Sequence, residues 1–285
     1  MRSRALWLSV LSLGWASGCG PSLTHETHVY DSRFGAKTEL EVFRAEGALP
    51  RPAVMLVHGG GWREGSRSQL TGLARRLAAQ GYVTATIDYR VGSQGAYPAA
   101  VHDCRCALSY LQNHAETLGL DATRVVLLGY SAGGHLASLV ATSSPVPDCA
   151  EGPGSRPVAV IAAAAPQNLT ALSWASDVQQ FMSGPIEAQG ARYTEASPVA
   201  QVHPNQPPFL LIHGDADAYV PASHAIEMRE ALLAAGNDAQ LLLLRGGGHV
   251  INPAVSADQL SYESYVTDSD EAWLAMNKFL AGVTR

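Results

Sequence analysis

Charge is sparse in this 285-residue chain: Asp, Glu, Lys and Arg make up 15% of it, and long polar tracts are few. That shortage argues against extensive disorder, because a chain that is 47% hydrophobic has enough apolar surface to offset the entropy of ordering. Basic residues are the scarcer sign, 19 Lys and Arg against 25 Asp and Glu, and no basic patch stands out. A net charge of -6 so distributed excludes a nucleic-acid partner held by phosphate neutralisation. Long apolar runs are also missing. Ala5 to Trp15, about eleven residues, is too short to span a bilayer stably. Cysteine is limited to four residues, and a zinc site on His102, Cys104 and Cys106 fails on geometry. Two cysteines two apart on a helix point about 200° from each other and do not grip one ion together. No metal and no cofactor are expected. No internal repeat is evident, and the length and composition suit one well-filled domain.

What is present begins with a processing signal. Arg2 and Arg4 supply a basic start, Ala5 to Trp15 an apolar stretch, and Ala16-Ser17-Gly18 small residues before Cys19. The ending resembles a bacterial lipoprotein signal, which implies cleavage before Cys19 and lipid on that residue; an ordinary secretory signal is the alternative. The expected division is residues 1–18 as signal peptide, 19–27 as tether and 28–285 as catalytic domain, in a protein that is exported and held to a membrane by its lipid anchor, or otherwise periplasmic or secreted. Export permits disulfides. With Cys19 lipidated, Cys104, Cys106 and Cys149 remain. Cys104 shares an apolar helical stripe with Val101, Leu108 and Leu111, whereas Cys106 shares the more polar face with Asp103, Tyr110 and Asn113. Cys106 is therefore the better partner for the loop residue Cys149, with Cys104 the alternative and otherwise a buried free thiol.

Thr38 to Arg44 alternates polar and apolar residues and reads as an antiparallel opening strand. Continuous apolar runs follow at Ala53 to Val57, Val125 to Leu128, Val158 to Ala164 and Phe209 to His213, as strands covered on both faces require. Tyr82 to Asp88 and Gln240 to Leu244 complete the strands. Helical periods or stop signals mark Gln69 to Gln80, Pro98 to about Leu118, the run after Ser131, Pro221 to Ala235 and Glu271 to Val283. This alternation predicts an α/β fold with a mostly parallel sheet between helical layers. The interval from Pro166 to Pro208 has weak periodicity and predicts a small cap or pocket wall, and Asn252 to Asp268 a loop-rich insertion.

Reactive groups in such a sheet gather where strands end. Gly129-Tyr130-Ser131-Ala132-Gly133 lies between a strand and a helix, the setting of a nucleophile elbow, in which a strained turn lifts the serine hydroxyl above the strand ends. A neutral hydroxyl needs a base, the base an orienting carboxylate, and the oxyanion preorganised donors. His249, after three glycines, is the candidate base. Asp217 is the candidate carboxylate, with Asp215 shaping the same turn. The N–H groups of Gly60, Gly61 and Ala132 are the candidate oxyanion hole. His58 is read as a brace for the glycine loop, and His135, His213 and His224 as structural.

Taken together, HGGGWREG at 58–65, DYR at 88–90, YPAAVHDCRCAL at 97–108, GYSAGGHLASL at 129–139, PPFLLIHGDADAYVP at 207–221 and GGGH at 246–249 resemble the α/β-hydrolase superfamily. Within it they resemble HGGG-loop serine esterases of the hormone-sensitive-lipase and feruloyl-esterase-like group. The resemblance implies an eight-stranded, mainly parallel sheet and ester hydrolysis through an acyl-serine, and it supports Asp217 and His249. The expected substrate is a small-molecule ester with a short acyl or aryl group, in a pocket walled by Trp62, Tyr130, Trp174 and Phe181. An arylformamidase-like amidase, or a non-catalytic ligand-binding protein on the same fold, are the alternatives. Oligomeric state is not legible.

Overall fold

A computed structural model describes residues 22–144, 149, 150, 152, 154–249 and 270–285. The signal segment, Cys19 and the insertion at 252–268 lie outside them. The eight strands are β1 (Leu23–Val29), β2 (Glu39–Ala45), β3 (Arg51–Val57), β4 (Val83–Ile87), β5 (Leu120–Tyr130), β6 (Ala159–Ala163), β7 (Phe209–Gly214) and β8 (Ala239–Leu244). They form one sheet in the order β1-β2-β4-β3-β5-β6-β7-β8. β1 and β2 run antiparallel to their neighbours, and every pair from β4 to β8 is parallel. The expected eight-stranded, mostly parallel sheet is present.

The inner segments of the central strands β3 and β5, Ala53 to Val57 and Val125 to Leu128, are apolar because they feed two cores. Ala53, Met55 and Val57 join one cluster with Val125 and Leu127, beneath α2 (Ala99–Asn113), α4 (Ala132–Thr142) and α7 (Ser223–Ala234). Val54, Leu56, Val126, Leu128 and Tyr130 join the other, beneath α1 (Thr71–Ala79) and the C-terminal α8 (Asp270–Val283). Successive strand residues alternate faces, so continuous hydrophobicity is what a doubly covered strand requires.

Three expectations change. The tether was placed at 19–27, but Leu23–Val29 pairs with β2 from Leu23↔Ala45 to Val29↔Glu39, so the folded domain already includes residue 23. LTHETHV is largely polar because it is an edge strand, held by the Arg44 Nη2–Glu26 Oε1 ion pair at 2.6 Å. The helix from Pro98 to Leu118 breaks at His114, whose Nδ1 hydrogen-bonds the Tyr110 carbonyl at 3.0 Å, and a short α3 (Ala115–Leu118) follows. The polar face of α2 is exposed only toward its end, at Asn113. Arg90 grips Asp103 with Nε and Nη2 at 2.9 and 2.7 Å, so Asp103 and Cys106 are both buried. Cys106 is bonded to Cys149, and Cys104 is a buried free thiol. The cap is two short helices, α5 (Ser176–Met182) and α6 (Ile186–Glu195), with a non-helical residue at Gln189 that explains the weak periodicity.

Candidate active site

Ser131 joins β5 to α4 at φ 52° and ψ -122°, a conformation that costs an L-residue energy and so persists only where its surroundings fix it. Close packing on both sides does so. A Cβ on Gly129 would lie 2.2 Å from the Gly133 carbonyl oxygen, and one on Gly133 would lie 2.1 Å from that of Val57. Only glycine lets the helix start this near the strands. Ser131 N–H donates to Ala163 O at 2.8 Å, pinning the turn to β6.

His249 approaches from the loop after β8. Its Nε2 is 3.1 Å from Ser131 Oγ and its Nδ1 is 2.8 Å from Asp217 Oδ2. Asp217, in the loop after β7, accepts from the Tyr219 and Val220 N–H groups through Oδ1 at 2.9 and 2.8 Å. His213 Nε2 lies 3.4 Å from Asp217 Oδ2 and 2.8 Å from the Val220 carbonyl. Burial by itself raises the Asp217 pKa, yet hydrogen bonds from His213, His249 and the backbone outweigh it and hold the carboxyl well below its ordinary range. Asp215, in the same turn, accepts instead from Gly246 N–H at 2.6 Å and shapes the loop that carries His249.

The loop after β3 turns at Gly60 and Gly61, with φ of 108° and 59°. Its Gly60 carbonyl is tied by the Arg63 and Glu64 N–H groups at 3.0 and 3.2 Å. Ala132, first residue of α4, has an N–H with no intrahelical acceptor. Gly61 and Ala132 border the cavity over Ser131. His58 braces this loop: its Nδ1 meets Gly59 O at 2.7 Å, its ring stacks on Tyr89 at 4.2 Å, and burial lowers its pKa to about 4, so it stays neutral.

The four expected wall residues separate. Trp62 and Trp174 line the cavity, together with Leu172, Val178 and Val220. Phe181 does not: it stacks behind Trp62 at 4.7 Å between centroids, a buried support for the wall. Tyr130 does not either. It shares the face of Val126 and Leu128, turned toward α1 and α8, and its hydroxyl donates to the His249 carbonyl. The Trp62 indole N–H donates to His135 Nδ1 at 3.2 Å, while His135 Nε2 meets Ala196 O at 2.8 Å, one neutral tautomer serving both bonds.

Three residues at the mouth carried no sequence signal of this role. Arg63 Nη1 pairs with Asp177 Oδ1 at 2.6 Å, and the Tyr219 hydroxyl also bonds Asp177, joining the glycine loop, the cap and the Asp217 loop. The free volume above Ser131 is about 30 Å³. Among the described residues no group of three or more His, Cys, Asp or Glu is placed to hold a metal ion.

A family model described as BD-FAE matches residues 41–232. Esterase LipC of Mycobacterium tuberculosis is 30% identical over 252 residues, covering 81% of this chain and 62% of that protein. A thermophilic esterase of Thermogutta terrifontis, solved with propionate bound, matches at a TM-score of 0.73 and 26% identity, over 93% of this chain and 95% of that one. A truncated carbohydrate esterase from gut microbiota matches at 0.75 with 20% identity, over 93% and 97% of the two chains, a likeness of fold alone. The chain spans less than two thirds of the first curated relatives it matches.

Proposed function

We propose that this chain, which belongs to the BD-FAE family and has the α/β-hydrolase fold, is a serine-dependent carboxylic ester hydrolase acting on short-chain or aryl esters. The observation that carries the reading is the unbroken hydrogen-bond chain from Ser131 Oγ through His249 to Asp217, at 3.1 and 2.8 Å. In this reading Ser131 Oγ attacks the ester carbonyl as its proton passes to His249 Nε2. Asp217 holds the His249 Nδ1–H and stabilises the imidazolium. The N–H groups of Gly60, Gly61 and Ala132 receive the charge that develops on the carbonyl oxygen. The alcohol leaves with the proton from His249. Water, deprotonated by the same imidazole, then releases the acid from the acyl-serine.

Relatives support the substrate class: LipC is named an esterase, and the Thermogutta terrifontis esterase was solved with propionate and with butyrate. A fluorophosphonate should label Ser131 stoichiometrically and abolish p-nitrophenyl acetate hydrolysis. An unlabelled serine in folded protein would overturn the catalytic reading, and faster turnover of N-formyl aryl amides than of aryl esters would make the protein an amidase.

The same proposal extends to location: removal of residues 1–18, lipid on Cys19 and residence outside the cytoplasm. The Cys106–Cys149 disulfide supports an oxidising compartment. Mass spectrometry of the mature N-terminus tests it, since an unmodified residue beyond Cys19 contradicts the anchor.

A further inference from the structure

A second cavity, of about 270 Å³, lies against α2 and shares no lining residue with the one above Ser131. Its walls include Arg33, Arg90 and Arg105 against Asp31 and Asp103, one positive charge in excess in a chain whose net charge is -6. The two aspartates are already engaged. Asp31 pairs with Arg33 at 2.7 Å and Asp103 with Arg90 at 2.7 Å, each in a fork of hydrogen bonds.

Arg105 differs. It is half-buried, and among the described residues no carboxylate pairs with it; its Nη2 hydrogen-bonds the Ser143 hydroxyl. Burial is the main effect on its pKa, which is lowered. A guanidinium carries five donors in a planar fork, and one hydroxyl leaves most of them for another acceptor. Taking such a group out of water without an anion is costly, and an anion in the adjoining space would offset that cost. Besides the imidazole of His102, the rest of the wall is apolar: Phe34, Pro98, Ala99 and the Cys106–Cys149 disulfide. An inorganic anion would use the guanidinium and leave that surface uncovered. The volume equals roughly nine waters at about 30 Å³ each, which suits a carboxylate on a short alkyl or single-ring body.

We propose that Arg105 and the apolar walls of this cavity form a second ligand site, for a small organic carboxylate, separate from the site at Ser131. The fork of Arg105 takes the carboxylate, and Phe34 with the disulfide covers the body. The site stands whether or not Ser131 is a nucleophile. The acid it takes comes either from ester hydrolysis or from the surroundings.

Benzoate, acetate and phosphate serve as probes, titrated calorimetrically into the full chain, Ser131→Ala, Arg105→Gln and Arg105→Lys. Benzoate should bind once per chain in the wild type and in Ser131→Ala, and at least about tenfold more weakly in Arg105→Gln. Arg105→Gln should hydrolyse p-nitrophenyl acetate at the wild-type rate. Arg105→Lys keeps the charge without the fork and should bind several-fold more weakly; it decides the matter if the glutamine variant does not fold. Equal benzoate binding in wild type and the Arg105 variants, or loss of binding in Ser131→Ala alone, would overturn the site. Phosphate binding in preference to benzoate would overturn the assignment to a carboxylate. Acetate released at Ser131 should bind here more weakly than benzoate, because it leaves Phe34 uncovered. Acetate binding as tightly as benzoate would contradict the role given to that wall.

Discussion

Asp217 Oδ2 receives the Nδ1–H of His249, which fixes the tautomer whose Nε2 lone pair faces Ser131 Oγ. In Asp217→Asn an amide nitrogen at that position offers a donor to a donor. The imidazole then turns to the tautomer with its proton on Nε2, which is unable to take one from Ser131. We expect kcat for p-nitrophenyl acetate to fall on the order of 10³–10⁴-fold with KM nearly unchanged, and Ser131→Ala and His249→Ala to fall at least as far. Wild-type-like turnover in any of the three contradicts the assignment. These residues were legible because each ends a strand in a motif whose chemistry requires that residue type. Arg63, Asp177 and Tyr219 were not, since their meaning depends on where the cap docks. Tyr130 and Phe181 were placed on the wrong surface for a related reason. In a strand apolar on both faces the sequence does not say which face meets the pocket, and in the cap no periodicity shows which aromatic ring is outermost.

The cap and the helix carrying the disulfide are the elements whose positions matter most to specificity and stability. Leu172, Trp174 and Val178, from the cap and its approach, close the space over Ser131 to about 30 Å³. A space of about one water's volume admits the first carbons of an acyl chain, and each further carbon must displace the wall. The rate constant kcat/KM for p-nitrophenyl esters should therefore peak at about two to six carbons, each methylene adding at most about 0.8 kcal/mol until the space is full. A steady climb to long chains, or a jump at a lipid interface, would show that the cap opens. The disulfide joins α2 to the loop beyond α4 across 43 residues of sequence. Closing a loop that long removes roughly 4 kcal/mol of unfolded-state entropy, so Cys149→Ala should lower Tm by roughly 5–10 °C by calorimetry. A change below about 1 °C would place the stabilisation elsewhere. At this scale the inner strands could be read from their runs of apolar residues, whereas β1 could not. An edge strand with a wet face keeps polar residues such as His25, Glu26 and Thr27, and nothing local distinguishes it from a tether.

Over the whole molecule, three buried histidines set how the fold meets acid. Burial lowers the pKa of His58, His135 and His224 from the ordinary 6.5 to about 4 in each case. Each is held in the neutral form by a structural task. His58 braces the glycine loop, His135 takes the Trp62 indole N–H, and His224 Nδ1 accepts from the Gln167 and Asn168 N–H groups at 3.3 and 3.2 Å. Between pH 6.5 and 4 the unfolded chain binds protons at these positions and the native chain does not, so stability is full above that window and falls as pH falls through it. A difference of this size corresponds to at most about 3 kcal/mol per histidine, and three together approach the whole stability of an ordinary domain, about 5–15 kcal/mol. Asp217 acts elsewhere on the scale: its lowered pKa stabilises the fold above the ordinary carboxylate range, and that contribution is lost only as pH drops below it. The histidines therefore dominate the window. Tm should fall steeply from pH 6.5 toward 4, and His224→Gln, which removes one of the three protons, should reduce the slope by about one third. A Tm that stays level across those pH values would mean that the three rings take up protons without leaving their places, and with that the account of how they hold the glycine loop, Trp62 and the turn after β6 would fail.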